Sequence, residues 1–439
     1  MTEQEHAEVV VAGAGPAGLA AAAHAAEAGA RVLLLDREPR PGGQVWRHRG
    51  LPPRAARPWI ERVRRAGVPT LFEAVVVDAP APGRLLVARE NEGRVVRYER
   101  LVLATGAREL FLPFPGWTLP GVVGVGAVHA LLEQGARFEG LRVVVAGTGP
   151  LLPAVAAALR SGGARVVGVF EQASLARVGR FAAGLTLHPA RALEGLGYRA
   201  RLLAVPYRTG EWVASAAGNA SVERATVTDG RRERTVECDV LACAFGLVPN
   251  LELPRLLGCA TAAEAVELDR DQRTSVPGVF AAGELGGIAG ERHATVSGAI
   301  AGVAAAGRTV SSALRRARER ERAFARALAR AFALRAELRS LGGPDTVVCR
   351  CEDVTLERLA PCRSAREAKL LTRAGMGPCQ GRVCGPALEL LRGWAPDSVR
   401  PPLEPVPIAV LASGWSDGGA AAGEAQDAGR RRNPADAPC

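Results

Sequence analysis

Residues Val9 to Asp36 carry the pattern that most narrows the fold. Val9-Val10-Val11-Ala12 is an apolar run of strand length, Gly13-Ala14-Gly15-Pro16-Ala17-Gly18 a glycine turn, and the alanine-rich stretch behind it a helix. Arg31-Val32-Leu33-Leu34-Leu35-Asp36 is a second buried strand closed by an acid. Strand, turn, helix and strand in that order make an α/β unit with a parallel sheet. In such a unit Gly13 allows a tight turn, Gly15 lets the backbone approach a pyrophosphate, and Gly18 brings helix against sheet. The helix N-terminus then offers free N–H groups and about half a positive charge to phosphates. Asp36, 18 residues past Gly18, is set to accept hydrogen bonds from ribose hydroxyls.

The pattern returns further on. Leu141 to Ala146 is a strand, Gly147-Thr148-Gly149-Pro150-Leu151-Leu152 a turn, and Ala164 to Glu171 a strand ending in an acid. Leu152 takes the third glycine position, where a side chain holds the helix off the strand. Glu171 suits a ribose diol and would repel a 2′-phosphate, which favours NAD over NADP. Two readings stay open for Gly147, Gly149 and Glu171: a working nucleotide site, or a retained fold whose ligand is lost.

Around these units lie other signals. Pro41-Gly42-Gly43-Gln44 reads equally as a plain turn or as backbone passing close to a bound ring. Residues 84 to 98 alternate in β fashion, and Leu101 to Ala107 is a buried strand whose Thr105-Gly106 end comes to the carboxyl edge of the sheet. A single strand is expected from Glu237 to Ala244, with Cys238 and Cys243 on opposite faces as core residues. Val276 to Ala282 is a strand running into Gly283-Glu284, with a helix from Ala294 to Ala306 and His293 in an exposed turn before it. Ser311 to Ser340 lacks Gly and Pro and reads as one helix, a strut docking through Phe324, Leu328 and Phe332.

That strut carries nine arginines against three glutamates, much of the net charge of +11. Only Lys369 is a lysine among 56 basic residues, a bias of genome composition rather than a mark of nucleic-acid binding. With 439 residues the chain has room for roughly two or three domains. With Glu3, Glu5 and Glu8 at its start the sequence is not expected to carry a basic-then-apolar leader, and no apolar run approaches the roughly 18 residues of a membrane span. Nine cysteines, an odd number with four tightly spaced, point to a reducing compartment and a metal, so the cytoplasm is expected.

Those four are Cys349 and Cys351 as C-x-C, and Cys379 and Cys384 as C-x-x-x-x-C. Zinc sites usually space paired cysteines by about two to four residues, so the single-residue spacing favours a 2Fe-2S cluster with zinc as the alternative. Gly375, Gly377 and Gly381 leave backbone N–H groups free for the sulfurs, and a helix starts at Gly385-Pro386. Cys362 is a spare. Arg400 to Ala412 reads as extended, and the chain past Ser413 as disordered.

Gly13 to Gly18, Asp36, Gly43-Gln44 and Ala104-Thr105-Gly106 resemble the FAD domain of the flavoproteins with two dinucleotide-binding domains, the class that includes thioredoxin reductase. Pro39 to Gln44 and Pro113 to Val122 resemble a narrower group: the A or α subunits of opine oxidase and D-hydroxyproline dehydrogenase and the B subunit of hydrogen cyanide synthase. Residues 349 to 384 resemble the bacterioferritin-associated-ferredoxin-like (BFD-like) domain, and Gly375 to Gly381 has the form found in that same group. Asp36 stands where such FAD sites often carry Glu, and Glu284 where they usually carry Asp.

The resemblance implies an α/β fold of two Rossmann-like domains, the second inserted in the first, and a small C-terminal iron-sulfur domain. The implied segments are 1–110 and 247–310 for FAD, 111–246 for the NAD(P)-like insertion, 311–340 for a linking helix, 341–398 for the cluster and 399–439 for a tail. FAD falls to Gly13, Gly15, Gly18, Asp36, Gly43, Gln44, Thr105, Gly106, Gly283 and Glu284, the last acid on the ribityl chain. NAD is a candidate for Gly147, Gly149 and Glu171, and a 2Fe-2S cluster for Cys349, Cys351, Cys379 and Cys384. No cysteine pair sits near the flavin motifs, which counts against disulfide reduction, and no catalytic residue is assigned. The implied role is the electron-transfer subunit of a hetero-oligomeric amine or amino-acid dehydrogenase. Its partner would be a D-amino-acid-oxidase-like β subunit, with room for a small ferredoxin-like subunit. The alternative is a self-sufficient NADH-dependent flavin reductase.

Overall fold

The computed structural model describes residues 6–262, 264–395 and 399–416. The first strand, His6–Ala12, lies parallel between Val32–Leu35 and the carboxyl half of the long strand Glu92–Leu103. Its register pairs Ala12 with both Leu35 and Leu103, so three carboxyl ends finish level with the glycine turn. Thr70–Leu71 and Val279–Ala281 extend this parallel sheet on either side. The amino half of Glu92–Leu103 leaves the parallel sheet and pairs antiparallel with Arg84–Arg89, which pairs in turn with Ala74–Ala81.

Two helices, Pro16–Glu27 and Glu291–Ala305, share one face of that sheet. They approach closely because the facing residues are small: a Cβ on Gly298 or Gly302 would overlap the backbone of Ala17 or Ala21. Ala20 to Ala23 and Ala25 are fully buried, so the alanine run is a packing surface.

The second unit centres on Arg142–Gly147. Arg165–Glu171 and Tyr207–Thr209 lie on one side, Val240–Ala244 and Val122–Gly124 on the other, all parallel. An antiparallel meander, 212–217, 224–228 and 233–237, covers it. The chain enters and leaves this unit through an antiparallel ribbon, Ala107–Glu109 against Leu247–Pro249, so the second sheet is inserted into the first. A third unit has its own small core of Val348, Val354, Leu359, Ala368 and Leu388.

Several expectations need correction. Cys238 falls before the strand Val240–Ala244 rather than within one continuous strand, although it and Cys243 are both buried. The linking helix runs only from Ser312 to Ala331, and a short 3-10 turn, Ala336–Ser340, follows a break. The helix expected from Ala294 begins at Glu291, where Gly290 at φ 86° ends the loop, so His293 is a buried helical residue and not an exposed one. The tail is not extended throughout. Leu403 donates its amide to Val77 at 2.8 Å, and the helix Ile408–Ser416 buries Val410 against Val77, Leu86 and Val95. The reading of disorder past Ser413 fails for residues 414–416, which belong to that helix; the rest of it, residues 417–439, lies outside the described residues. Among the described residues no helix is long and apolar enough to cross a membrane.

Candidate functional site

The level carboxyl ends of the first sheet build the first candidate site. Gly13 has φ 109°, and a Cβ there would overlap the Ala104 carbonyl; one on Gly18 would overlap the Gly13 carbonyl. Only glycine fits either position. The amide of Gly42 donates to the Ala14 carbonyl at 2.8 Å, which lays the following residue across the turn. A Cβ on Gly43 would stand 2.9 Å from the Gly15 Cα. Turn and close approach are therefore one feature. The Gln44 amide reaches Glu38 at 3.5 Å, and the same carboxylate pairs with Arg47 at 2.5 Å.

Asp36 is buried, accepting from the amides of Ala14 and, at 2.7 Å, Glu38. Burial raises its pKa and these two hydrogen bonds oppose the shift. Each oxygen keeps a lone pair, which suits a ribose hydroxyl. Beside the turn opens a cleft of about 450 Å³ lined by Arg40, Arg47 and Arg49, with Gln134 from the second unit on its far wall. Glu38 lines it as well, so three arginines face one carboxylate there.

Thr105 and Gly106 stand where the chain crosses to the second unit. The Asn250 side chain donates to the Thr105 carbonyl at 2.8 Å, and its own amide donates to the Gly106 carbonyl at 3.0 Å. Gly283, at φ 71°, donates to the Ser297 hydroxyl at 2.9 Å, and a Cβ on it would crowd Ala17. The Glu284 carboxylate turns back on its own loop, accepting from Ala289 at 2.7 Å and Gly290 at 2.9 Å, and burial raises its pKa. Its extra methylene is spent on closing that loop at the start of the helix Glu291–Ala305. Ala17, inside the first helix, touches both Gly283 and Gly298, so the two flavin-type motifs meet at one spot.

His293 is the residue that the sequence pattern missed. It is 4 % exposed, neither ring nitrogen has a partner, and burial followed by the charges of Arg318 and Arg322 pushes its pKa down to about 4. The linking helix supplies those charges.

In the second unit Gly147, at φ 139°, has no room for a Cβ against Ala244, and Leu152 is wholly buried in the core with Val143 and Val155. Glu171 is fully buried, accepts from Gly149 at 2.7 Å and Ala173 at 2.8 Å, and is raised to about 7 by burial. It offers a solvent-borne ribose no exposed surface.

The four cysteines gather in the third unit as two pairs. The sulfurs of Cys351 and Cys379 are 3.7 Å apart, and Cys349 and Cys384 are buried together in the core of this unit. The Gly375 amide points at the Cys349 sulfur at 3.5 Å. A Cβ on Gly377 would overlap that of Cys351, and Gly375 and Gly381 use φ 80° and 78° to bring the loop round. Cys384 opens the helix Cys384–Arg392, two residues before Pro386. Among the described residues no three His, Cys, Asp or Glu side chains converge on a single ion. Cys362 is buried in the core of this unit.

This unit is tied to the crossover. Arg108 donates to the Arg382 carbonyl at 3.0 Å and to Asn250 at 2.8 Å, and pairs with Glu252 at 2.9 Å. The Trp117 indole donates to the Val347 carbonyl at 2.6 Å.

The family model described as pyridine nucleotide-disulphide oxidoreductase matches residues 7–306. The A subunit of opine oxidase from Rhizobium meliloti (strain 1021) is 33% identical over 461 aligned positions, covering 92% of this chain and 98% of that protein. The HcnB subunit of hydrogen cyanide synthase from Pseudomonas aeruginosa is 33% identical over 459, covering 92% and 97%. Among solved structures, L-proline dehydrogenase from P. horikoshii superposes with TM-score 0.67 at 20% identity, covering 92% of this chain and 79% of that one. Thioredoxin reductase from T. acidophilum gives 0.54 at 21%, covering 69% and 98%; both likenesses concern the fold.

Proposed function

The chain belongs to the pyridine nucleotide-disulphide oxidoreductase family, and from that premise we propose that it is the electron-transfer subunit of a heteromeric amine or amino-acid dehydrogenase. Its relatives are subunits of heteromeric oxidoreductases, and the chain is an FAD-dependent oxidoreductase of that kind. The proposed substrate class is an opine, a proline derivative or a glycine-like amine. Oxidation of that substrate would fall to a D-amino-acid-oxidase-like partner, and a further component would be a small ferredoxin-like subunit.

FAD fits the first site because Gly13, Gly18 and Gly43 form a cradle that a Cβ would fill. Gly15 and its neighbours would receive the pyrophosphate, Asp36 the adenosine ribose, Gly43-Gln44 and Thr105-Gly106 the flavin end, and Gly283-Glu284 the ribityl side. A 2Fe-2S cluster is proposed for Cys349, Cys351, Cys379 and Cys384, since the single-residue C-x-C spacing is unusual for zinc and the Cys351 and Cys379 sulfurs lie within reach of one metal atom. When bound, FAD takes electrons in pairs and the cluster hands them on singly. Asp36 and Glu284 have their carboxylates engaged by backbone amides, which makes them binding groups rather than bases.

One observation carries the reading. Arg108, three residues past Thr105, holds the loop of Cys379 and Cys384 through the Arg382 carbonyl, so the cysteine unit docks on the strand that leaves the FAD site. The test is to purify the chain alone and with its partner subunit. Substrate-dependent dye reduction is expected only with the partner; reduction by this chain alone would sink the proposal. The alternative, a self-sufficient NADH reductase, is favoured by Glu171 and opposed by Leu152, which fills the third glycine position and is wholly buried in the core.

A further inference from the structure

The two glycine turns differ in where their acids bond. In the first, Asp36 takes the amide of Ala14, the residue before the second glycine. In the second, Glu171 takes the amide of Gly149, the second glycine itself. A carboxylate thus occupies the N–H that would otherwise approach a pyrophosphate oxygen, and like charge opposes the phosphate. The Thr148 amide is engaged by the Ala244 carbonyl at 2.8 Å.

The end of the linking helix Ser312–Ala331 lies over this turn. A helix C-terminus leaves carbonyls without intrahelical donors, and here three side chains of the second unit take them up. Thr148 donates its hydroxyl to Phe332 at 3.1 Å, and Gln172 its amide to Ala333 at 3.2 Å. Arg177 donates to Arg330 at 3.0 Å and Ala333 at 3.3 Å. Gln172 also accepts from the Arg335 amide at 3.1 Å and donates to the Thr148 hydroxyl at 2.9 Å. The Phe332 ring meets Phe181 edge-on with centroids 5.3 Å apart. Thr148 lies between the two glycines and Gln172 directly after the acid, the positions that border a dinucleotide in a doubly wound unit.

We infer that residues 330–335 are the resident occupant of the second dinucleotide turn, and that this domain binds the chain's own backbone instead of a pyridine nucleotide. The carbonyls of Arg330, Phe332 and Ala333 supply the acceptors that a nucleotide would have brought. The family's second cofactor does not fit, and no hydride enters the protein there. At its other end the same helix pairs Arg315 with Asp271 of the first unit at 2.7 Å, so one element seals the site and braces both units.

The test uses the full, FAD-loaded chain without partner, so its outcome is independent of the electron-transfer proposal. NADH binding is followed by its fluorescence to about 1 mM, and hydrogen exchange is followed in the peptide spanning residues 330–336. No saturable NADH binding is expected. The variant Thr148→Val with Gln172→Ala should speed exchange in that peptide at least tenfold with flavin content unchanged, and Arg177→Ala alone should do so to a lesser degree. Saturable NADH binding by the unaltered protein would overturn the inference. So would exchange in that peptide that is as fast before substitution as after it.

Discussion

The guanidinium of Arg108 donates to the backbone carbonyl of Arg382, 3.0 Å away and 274 residues on, and thereby joins the crossover ribbon to the loop holding Cys379 and Cys384. Burial lowers the Arg108 pKa, and its pairing with Glu252 is the largest opposing effect. Replacing Arg108 by Met would leave Glu252, Asn250 and the Arg382 carbonyl without it. The Arg108–Glu252 pair is about a quarter exposed, so its loss costs about 1 kcal/mol. The expected result is a cysteine unit that undocks while flavin is retained, seen as faster hydrogen exchange in residues 379–384. Unchanged exchange would show that the remaining contacts, Trp117 to the Val347 carbonyl and Leu390 in the second core among them, hold the unit without Arg108.

Gly43 sits at φ 58° with its Cα against Gly15, so Gly43→Ala must push the loop off the turn. A displacement costing about 1.4 kcal/mol weakens binding tenfold. FAD affinity, measured by refilling the deflavinated protein, is therefore expected to fall at least that much. Gly67→Ala, where φ is 64° and nothing lies within 4 Å, is the control for backbone strain alone.

How much of this was legible beforehand follows from where each signal resides. The glycine turns, the closing acids and the cysteine spacings are local, so Gly13, Asp36 and Cys349 could be read from their neighbours alone. His293 was not legible, because the start of its helix depends on Gly290 adopting φ 86° and on Glu284 reaching back to cap the loop. The break after Ala331 carries no Gly or Pro. It exists because Thr148, Gln172 and Arg177, distant in sequence, take up the carbonyls of Arg330, Phe332 and Ala333. Likewise the fold of the tail depends on the apolar face of a hairpin more than 300 residues earlier, where Val77, Leu86 and Val95 receive Val410.

If the paired thiols hold a 2Fe-2S cluster, Cys351→Ser should lower iron from about two per chain and bleach the sulfide-to-iron absorption, with flavin content unchanged. Cys362→Ser, at a core cysteine that is not one of the four proposed ligands, should retain both iron and colour. Equal loss in the two variants would mean that the iron reading depends on folding of the unit rather than on ligation.

His293 sets a pH dependence whose sign is fixed by its surroundings. Arg318, Arg322, Glu319 and Glu321 of the linking helix act on it by charge, and burial with the arginine charges outweighs the glutamates, holding the native pKa near 4. An unfolded histidine titrates at about 6.5. Above that pH the two states carry the same neutral ring, and the contribution is fully present. As pH falls toward 4 the unfolded chain takes up a proton that the native site refuses, so stability declines through that window by about 3 kcal/mol at most. His293→Leu removes the titration together with two unpartnered buried nitrogens. The thermal midpoint of the variant should therefore hold steadier than that of the parent between pH 6.5 and 4, with the gap widening on acidification. Parallel pH profiles for the two proteins would show that His293 gains a proton, and a partner, inside the fold.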